Sequence, residues 1–236
     1  MEEFLGVLFC GGRGKRISSL TDYISKSFIP VYDIPVFKFG LSLLEESLLI
    51  KEIIILTNPD NDRKLSGLGH RTIIQDDEKV TDMFTGWEFV KKVTGSNKNG
   101  VLVPSDNISD INADHLIDEF IRNSNDLLFS VKEITDIKKL SEMGTYSREL
   151  NKFAYKDPKP ESNYGVIAPY IVRNSFECNA NEKIFETKNK RVMEHTGYWF
   201  DLGDYDSITE ANNWYRKFKL KKNEIYVKFL PVPNRH

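Results

Sequence analysis

Short apolar runs alternate along this chain with stretches whose apolar residues recur at helical spacing. Residues 4–9 (FLGVLF), 52–57 (EIIILT), 101–107 (VLVPSDN) and 127–131 (LLFSV) read as buried strands, and 72–75 as a weaker one. Between them, 35–49, 80–92 and 113–123 carry the helical spacing, the second with an interruption or kink at Gly86. Strands that are apolar throughout are covered on both faces, so the order predicts an α/β fold. Its central sheet is mostly parallel and flanked by helices, in three α/β/α layers. The second half is more mixed. Strands are expected at 165–172 and 197–203, then a helix over 204–219 with Ile208, Ala211, Tyr215 and Phe218 on one stripe, then a last edge strand at 225–230. No repeat or low-complexity linker divides the chain, so one domain over residues 1–236 is expected. No hexapeptide repeat follows the last helix, so no appended β-helix is expected.

Charge narrows the function. The 33 basic and 35 acidic residues nearly cancel, which argues against a nucleic-acid partner. The N-terminal MEEFLGVLFC lacks the basic start of a signal peptide, and no apolar run approaches the roughly 18 residues of a membrane helix. Cys10 and Cys178 stand far apart without metal spacing and read as ordinary thiols of a reducing compartment. A cytoplasmic protein without a membrane partner is expected. The sequence leaves a homo-oligomer open.

The loop after the first strand carries the chemistry. Gly11, Gly12 and Gly14 lie beside Lys15 and Arg16, with Lys26 a short way on. In an open parallel sheet, ligands bind at the carboxyl ends of strands, and glycines let backbone N–H groups approach phosphate oxygens. The loop is no Walker A motif, since Arg16 follows Gly14-Lys15 where Ser or Thr is needed, and no dinucleotide fingerprint, since Ile17 takes the place of its third glycine. A tight turn with solvated charges is the plainer alternative. Asp106 and Asp201 each fall at the end of an apolar run. Two such carboxylates can converge on a hard cation, or each can cap the turn that follows.

GGRGKRISSLTDYISKSFIPVYD resembles the opening of the sugar-1-phosphate nucleotidylyltransferases, most closely the glucose-1-phosphate thymidylyltransferases. Gly11, Gly12, Gly14, Arg16, Leu20, Thr21, Lys26, Pro30 and Val31 match that family's Gly-Gly-x-Gly-Thr-Arg-Leu, Leu-Thr and Lys before Pro-Val. PSDN, ESNYGV and WFDLG continue the likeness in order. The resemblance implies a Rossmann-like nucleotidyltransferase fold and a reaction joining a nucleoside triphosphate to a sugar 1-phosphate with release of pyrophosphate. It implies Arg16 and Lys26 on the reacting phosphates, Gly11, Gly12, Gly14, Lys15, Gln75 and Asp106 around the nucleotide, and Mg²⁺ on Asp106 and Asp201. Asn163, Tyr164 and Glu182 fall on the acceptor side, and Lys156 (or Lys159, with a small gap) on an active lysine.

The chain departs from the family in the loop and on the acceptor side. Lys15 stands where the family has Thr, and Ser19 where it has Pro. Tyr155 or Pro158 replaces the Glu that holds sugar hydroxyls, and the acidic stretch DDEKVTDMF follows Gln75 without a glycine. dTTP or UTP is expected as donor, with CTP as the alternative. The acceptor is expected to be a sugar 1-phosphate or a related phosphorylated molecule, for glycan precursor synthesis. A non-catalytic nucleotide-binding relative is the other class.

Overall fold

Side chains of the first strand, β1 (Phe4–Cys10), point alternately to two cores. Phe4, Leu8 and Cys10 join one, Leu5 and Val7 the other. The computed structural model describes residues 2–12, 17–177 and 182–229, with residues 182–183 and 221–229 described as backbone only.

After β1 come a helical turn α1 (Ser18–Thr21), a 3-10 turn (Lys26–Phe28), the two-residue strands β2 (Pro30–Val31) and β3 (Ile34–Pro35), and α2 (Phe37–Glu45). Then follow β4 (Ile50–Thr57), α3 (Pro59–Leu65), β5 (Arg71–Ile74), α4 (Met83–Thr94), β6 (Asn99–Pro104), β7 (Asn107–Ser109), α5 (Ala113–Arg122) and β8 (Leu127–Glu133). The rest comprises α6 (Ile137–Ser141), β9 (Gly144–Ser147), β10 (Lys152–Tyr155), β11 (Tyr164–Val172), a 3-10 turn (Glu182–Glu186), β12 (Lys190–Glu194), β13 (Trp199–Asp201) and α7 (Tyr205–Phe229).

The main sheet runs β10-β9-β11-β6-β1-β4-β5, with β8 also pairing β11 and carrying β12. Strands β6, β1, β4 and β5 are parallel, as are β8 and β12, while β11 runs antiparallel to β6, β8 and β9. The expected mostly parallel sheet flanked by helices is present. α2 and α5 cover one face through Phe37, Leu41, Leu44, Leu116, Ile117 and Phe120, and α4 covers the other through Phe84, Trp87 and Val90. No helix among the described residues is long and apolar enough to cross a membrane.

Three expectations need correction. The helix expected over 35–49 is shorter at both ends. Pro35 pairs in β3, and the Asp114 carboxylate accepts from the main-chain N–H of Leu48 at 3.0 Å and of Leu49 at 3.4 Å, turning the chain into β4. The helix expected over 80–92 begins at Met83, because Asp82 and Thr85 form a capping box. It has no break at Gly86, whose N–H keeps its helical bond to Asp82 O at 3.0 Å. That glycine serves close packing, since a Cβ there would stand 2.5 Å from the Phe9 ring. The last strand expected at 225–230 is also overturned. Residues 225–229 continue α7, which satisfies its backbone groups locally, and Leu230 lies outside the described residues.

Candidate active site

The carboxyl end of β1 delivers Gly11 and Gly12 to a floor of buried polar groups. Asn58 caps α3, accepting from Asn61 N–H at 2.9 Å, and its amide donates to Gly11 O at 3.4 Å. Asn61 donates to Cys10 O at 2.9 Å and to Ser25 Oγ at 2.8 Å. Ser27 and Ser105, both buried, share a hydroxyl bond of 2.8 Å, which ties the 3-10 turn to the end of β6. Burial pushes the Cys10 thiol up to about 12, so it packs as a neutral group rather than acting as a nucleophile.

The same turn presents Lys26. Its ammonium hydrogen-bonds Asp106 Oδ2 and stands 3.9 Å from Asp201 Oδ1. Asp106 follows β6 in a tight turn, and Asp201 ends β13. The two meet because β7 and β13 form a separate antiparallel ribbon in which Asp201 pairs with Asn107, and Leu202 N–H donates to Asp106 O at 3.0 Å. Asn107 Nδ2 donates to Asp106 Oδ1 at 3.1 Å and Asp201 Oδ1 at 3.4 Å, while its Oδ1 accepts from Trp199 Nε1 at 2.9 Å. This donor set fits a hard cation. Two carboxylate groups on one spot suit an ion that takes its other ligands from phosphates and water. No group of three His, Cys, Asp or Glu side chains with metal spacing occurs among the described residues.

A cavity of about 220 Å³ opens beside this cluster, lined among others by Gly11, Gly12, Lys26, Gln75 and Asp106. Gln75 follows β5, its N–H bonded to Thr57 O at 2.7 Å, and its amide donates to Asp77 Oδ1 at 2.7 Å. A second cavity of about 350 Å³ shares Thr81, Asp82 and Met83 with the first and continues over Phe153, Tyr155, Tyr170 and Phe185. Burial raises the Tyr170 hydroxyl well above its usual range, and the charges of Asp201 and Asp106 add to this, so it stays a proton donor.

A sequence model described as "Nucleotidyl transferase" matches residues 5–174. The chain belongs to the nucleotidyl transferase family. Relatives of this nucleotidyl transferase family member carry different names. The Xanthomonas campestris pv. campestris (strain B100) glucose-1-phosphate thymidylyltransferase is 24% identical over 255 residues, covering 94% of this chain and 84% of that protein. The Caenorhabditis elegans translation initiation factor eIF2B subunit gamma is 27% identical over 144 residues, 56% of this chain, but the match spans only 34% of that subunit. Among solved structures, a candidate glucose-1-phosphate thymidylyltransferase from Bacillus anthracis superposes with a TM-score of 0.76 at 20% identity, covering 90% of this chain and 95% of that one. A UDP-glucose pyrophosphorylase with UDP-glucose gives 0.72 at 16%, covering 92% and 99%. At these identities the structural likeness is one of fold.

Within this nucleotidyl transferase family member, Gly11, Gly12, Lys26, Gln75 and Asp106 line one cavity, and Asp201 stands beside Lys26. Gly14, Lys15, Arg16 and Cys178 lie outside the described residues. Asn163 and Tyr164 line neither cavity. The Asn163 amide donates to Glu133 Oε1 at 2.7 Å, and the Tyr164 ring lies 5.4 Å from the Arg148 guanidinium. Lys156 is exposed, its ammonium 5.0 Å from the centre of the Tyr155 ring, and Lys159 is exposed on the same loop. Tyr155, one of the two residues aligned with the family's missing Glu, is the member of this group that reaches the second cavity. Glu182 opens the 3-10 turn whose Ile184 and Phe185 line that cavity.

Sequence reasoning missed Asn107, Trp199 and Tyr170. The first two were visible only as motif letters in PSDN and WFDLG, and Tyr170 only as part of an apolar strand.

Gly11 has a steric duty that can be tested. A Cβ there runs into the Gln75 side-chain amide. That amide ends a flexible side chain, so Gly11→Ala is expected to swing Gln75 aside with little loss of melting temperature. With Gln75 on the base, as the resemblance implies, the displacement should raise the KM for the nucleoside triphosphate by about tenfold, on the order of one base hydrogen bond. Steady-state kinetics beside a thermal melt check it. An unchanged KM in a folded variant means Gln75 does not meet the nucleotide.

Proposed function

We propose that the protein couples a nucleoside triphosphate to a sugar 1-phosphate or related phosphorylated acceptor and releases pyrophosphate. The observation that carries this reading is the meeting of Lys26, Asp106 and Asp201 beside the Gly11-Gly12 backbone, where a phosphate chain would lie. In-line attack by the acceptor's phosphate oxygen on the α-phosphorus calls for positioning and charge neutralisation rather than a covalent intermediate. Lys26 is the cation set to meet the reacting phosphates, and Arg16 is assigned to the leaving pyrophosphate on family resemblance. A magnesium ion on Asp106 and Asp201 supplies charge neutralisation across the triphosphate when bound.

Gln75 is assigned to the base. Its carbonyl and second amide hydrogen suit the adjacent donor and acceptor of a pyrimidine edge. Asp77 accepts from Gln75, and Asp76 pairs with Lys79, so two of the three acids after Gln75 are engaged within the loop. That supports dTTP or UTP over CTP, whose exocyclic amine would want a carboxylate acceptor. The acceptor's head is assigned to the second cavity, where aromatic faces and phenolic hydroxyls predominate and the one carboxylate, Asp82, is spent capping α4.

Pyrophosphate release, measured with Mg²⁺ for the four common triphosphates against a panel of sugar 1-phosphates, tests the assignment. A pyrimidine donor is expected to exceed a purine one by about tenfold or more in kcat/KM, the scale of one or two base contacts. A purine preference would sink the base assignment. A second reading, a non-catalytic nucleotide-binding protein, draws on the match to a translation factor subunit and on the missing Glu. Tight triphosphate binding without pyrophosphate release from any acceptor would select it.

A further inference from the structure

Two carboxylates held at one spot repel each other, and each gains by rotating away or taking up a proton. Lys26 offsets this repulsion, but in the proposed reaction the same ammonium turns to the substrate's phosphates. A bound cation would offset the repulsion in turn, but neither it nor Lys26 fixes which way each carboxylate is turned before the cation arrives. We infer that Asn107 does so, as a positioning residue, and that the Trp199 indole sets its orientation. The inference rests on the reading of Asp106 and Asp201 as the cation-binding pair.

The geometry is specific on three counts. Asn107 lies directly opposite Asp201 in the β7–β13 ribbon, and opposed residues of an antiparallel pair project to the same face. It also follows Asp106 in the chain, so one side chain reaches both acids. Its Nδ2 donates to Asp106 Oδ1 at 3.1 Å and to Asp201 Oδ1 at 3.4 Å, using both amide hydrogens. An amide can be built either way round, but an indole N–H can only donate. Trp199 Nε1 lies 2.9 Å from Asn107 Oδ1, on a tryptophan only 8% exposed, so the oxygen must face the indole and the nitrogen must face the carboxylates. Asp at position 107 would add a third negative charge and lose both donors, while Leu would leave the acids unbridged and the Trp199 N–H unpaired.

The test is Mn²⁺ binding, followed by the loss of the free-ion electron paramagnetic resonance signal, on full-length protein with dTTP present. Asn107→Leu is expected to raise the Mn²⁺ dissociation constant by about tenfold or more, the usual size when a partner behind a metal ligand is removed. Trp199→Phe keeps a smaller aromatic ring at this buried position and removes the N–H donor. It should raise the constant by about threefold, as expected when only the orienting bond is lost. On an Asn107→Leu background, Trp199→Phe should add nothing further, because the indole acts through the amide. A packing role for Trp199 would instead give additive effects in the double variant, and that overturns the inference. So does unchanged Mn²⁺ binding in a folded Asn107→Leu protein when Asp106→Asn weakens it. If Asp106→Asn also leaves binding unchanged, the cation-site reading has failed and the inference falls with it. Should Asn107→Leu not fold, Trp199→Phe alone decides, with unchanged binding counting against.

Discussion

Asp106→Asn and Asp201→Asn are each expected to cut turnover by about 100-fold or more while the protein stays folded. A 100-fold loss corresponds to about 2.7 kcal/mol of barrier, within the several kcal/mol that a bound metal ion contributes by neutralising developing charge. Each change keeps the size of the side chain and removes its charge, and both carboxylates are partly open to solvent, 20% and 28% exposed. Melting temperatures should therefore shift by only a few degrees, as for a change on the order of 1 kcal/mol or less. Pyrophosphate release across a Mg²⁺ titration, beside a thermal melt, checks both halves. Near-normal turnover with ordinary metal dependence in either variant removes that aspartate from the proposed cation site.

Lys26→Met should cost at least as much, about 10²- to 10³-fold in kcat, the range seen when one preorganised electrostatic group is removed from a reacting centre. The reason differs from that for the aspartates. Met fills the lysine's stem but leaves Asp106 and Asp201 with no ammonium between them, next to where a triphosphate brings still more negative charge. Triphosphate affinity should fall as well, so kcat and KM move together. This separates Lys26 from Gln75, whose proposed role is to hold the base and is read in KM. Kinetics in which only the acceptor KM rises would place Lys26 outside the phosphate chemistry.

The central strands were legible because they are buried on both faces, and uninterrupted apolar runs leave few other ways to read them. Strands β7, β9, β10 and β12 were not read as separate strands, because they are short and lie towards the ends of the main sheet or, for β7, in the separate ribbon, so little forces an apolar run on them. The 225–230 segment looked like an edge strand by its composition, but the backbone of residues 225–229 continues the helix before it. Gly11, Lys26, Gln75, Asp106 and Asp201 could be chosen from the family's motif order. The partners that orient them could not. The bond from Asn107 to Asp201 spans 94 positions, and that from Trp199 to Asn107 spans 92, so neither leaves a local signal. Tyr155 could be aligned to the missing Glu, but only the structure shows that it lines the second cavity.

The β7–β13 ribbon also bears on how the protein comes into being on the ribosome. Residues 5–174, the stretch matched to the family, already hold β1, β4, β5, β6 and β11, and with them Asp106 and Lys26. The second carboxylate arrives only with Asp201, and Asn107 has no strand to pair with until Trp199–Asp201 has been synthesised. A nascent or prematurely terminated chain can thus bury much of its core while owning half of a charged centre. On the proposed assignment, catalytic competence is therefore acquired late, only once Asp201 has been added, and an abortive translation product would carry the residues assigned to the nucleotide without the second carboxylate of the cation site.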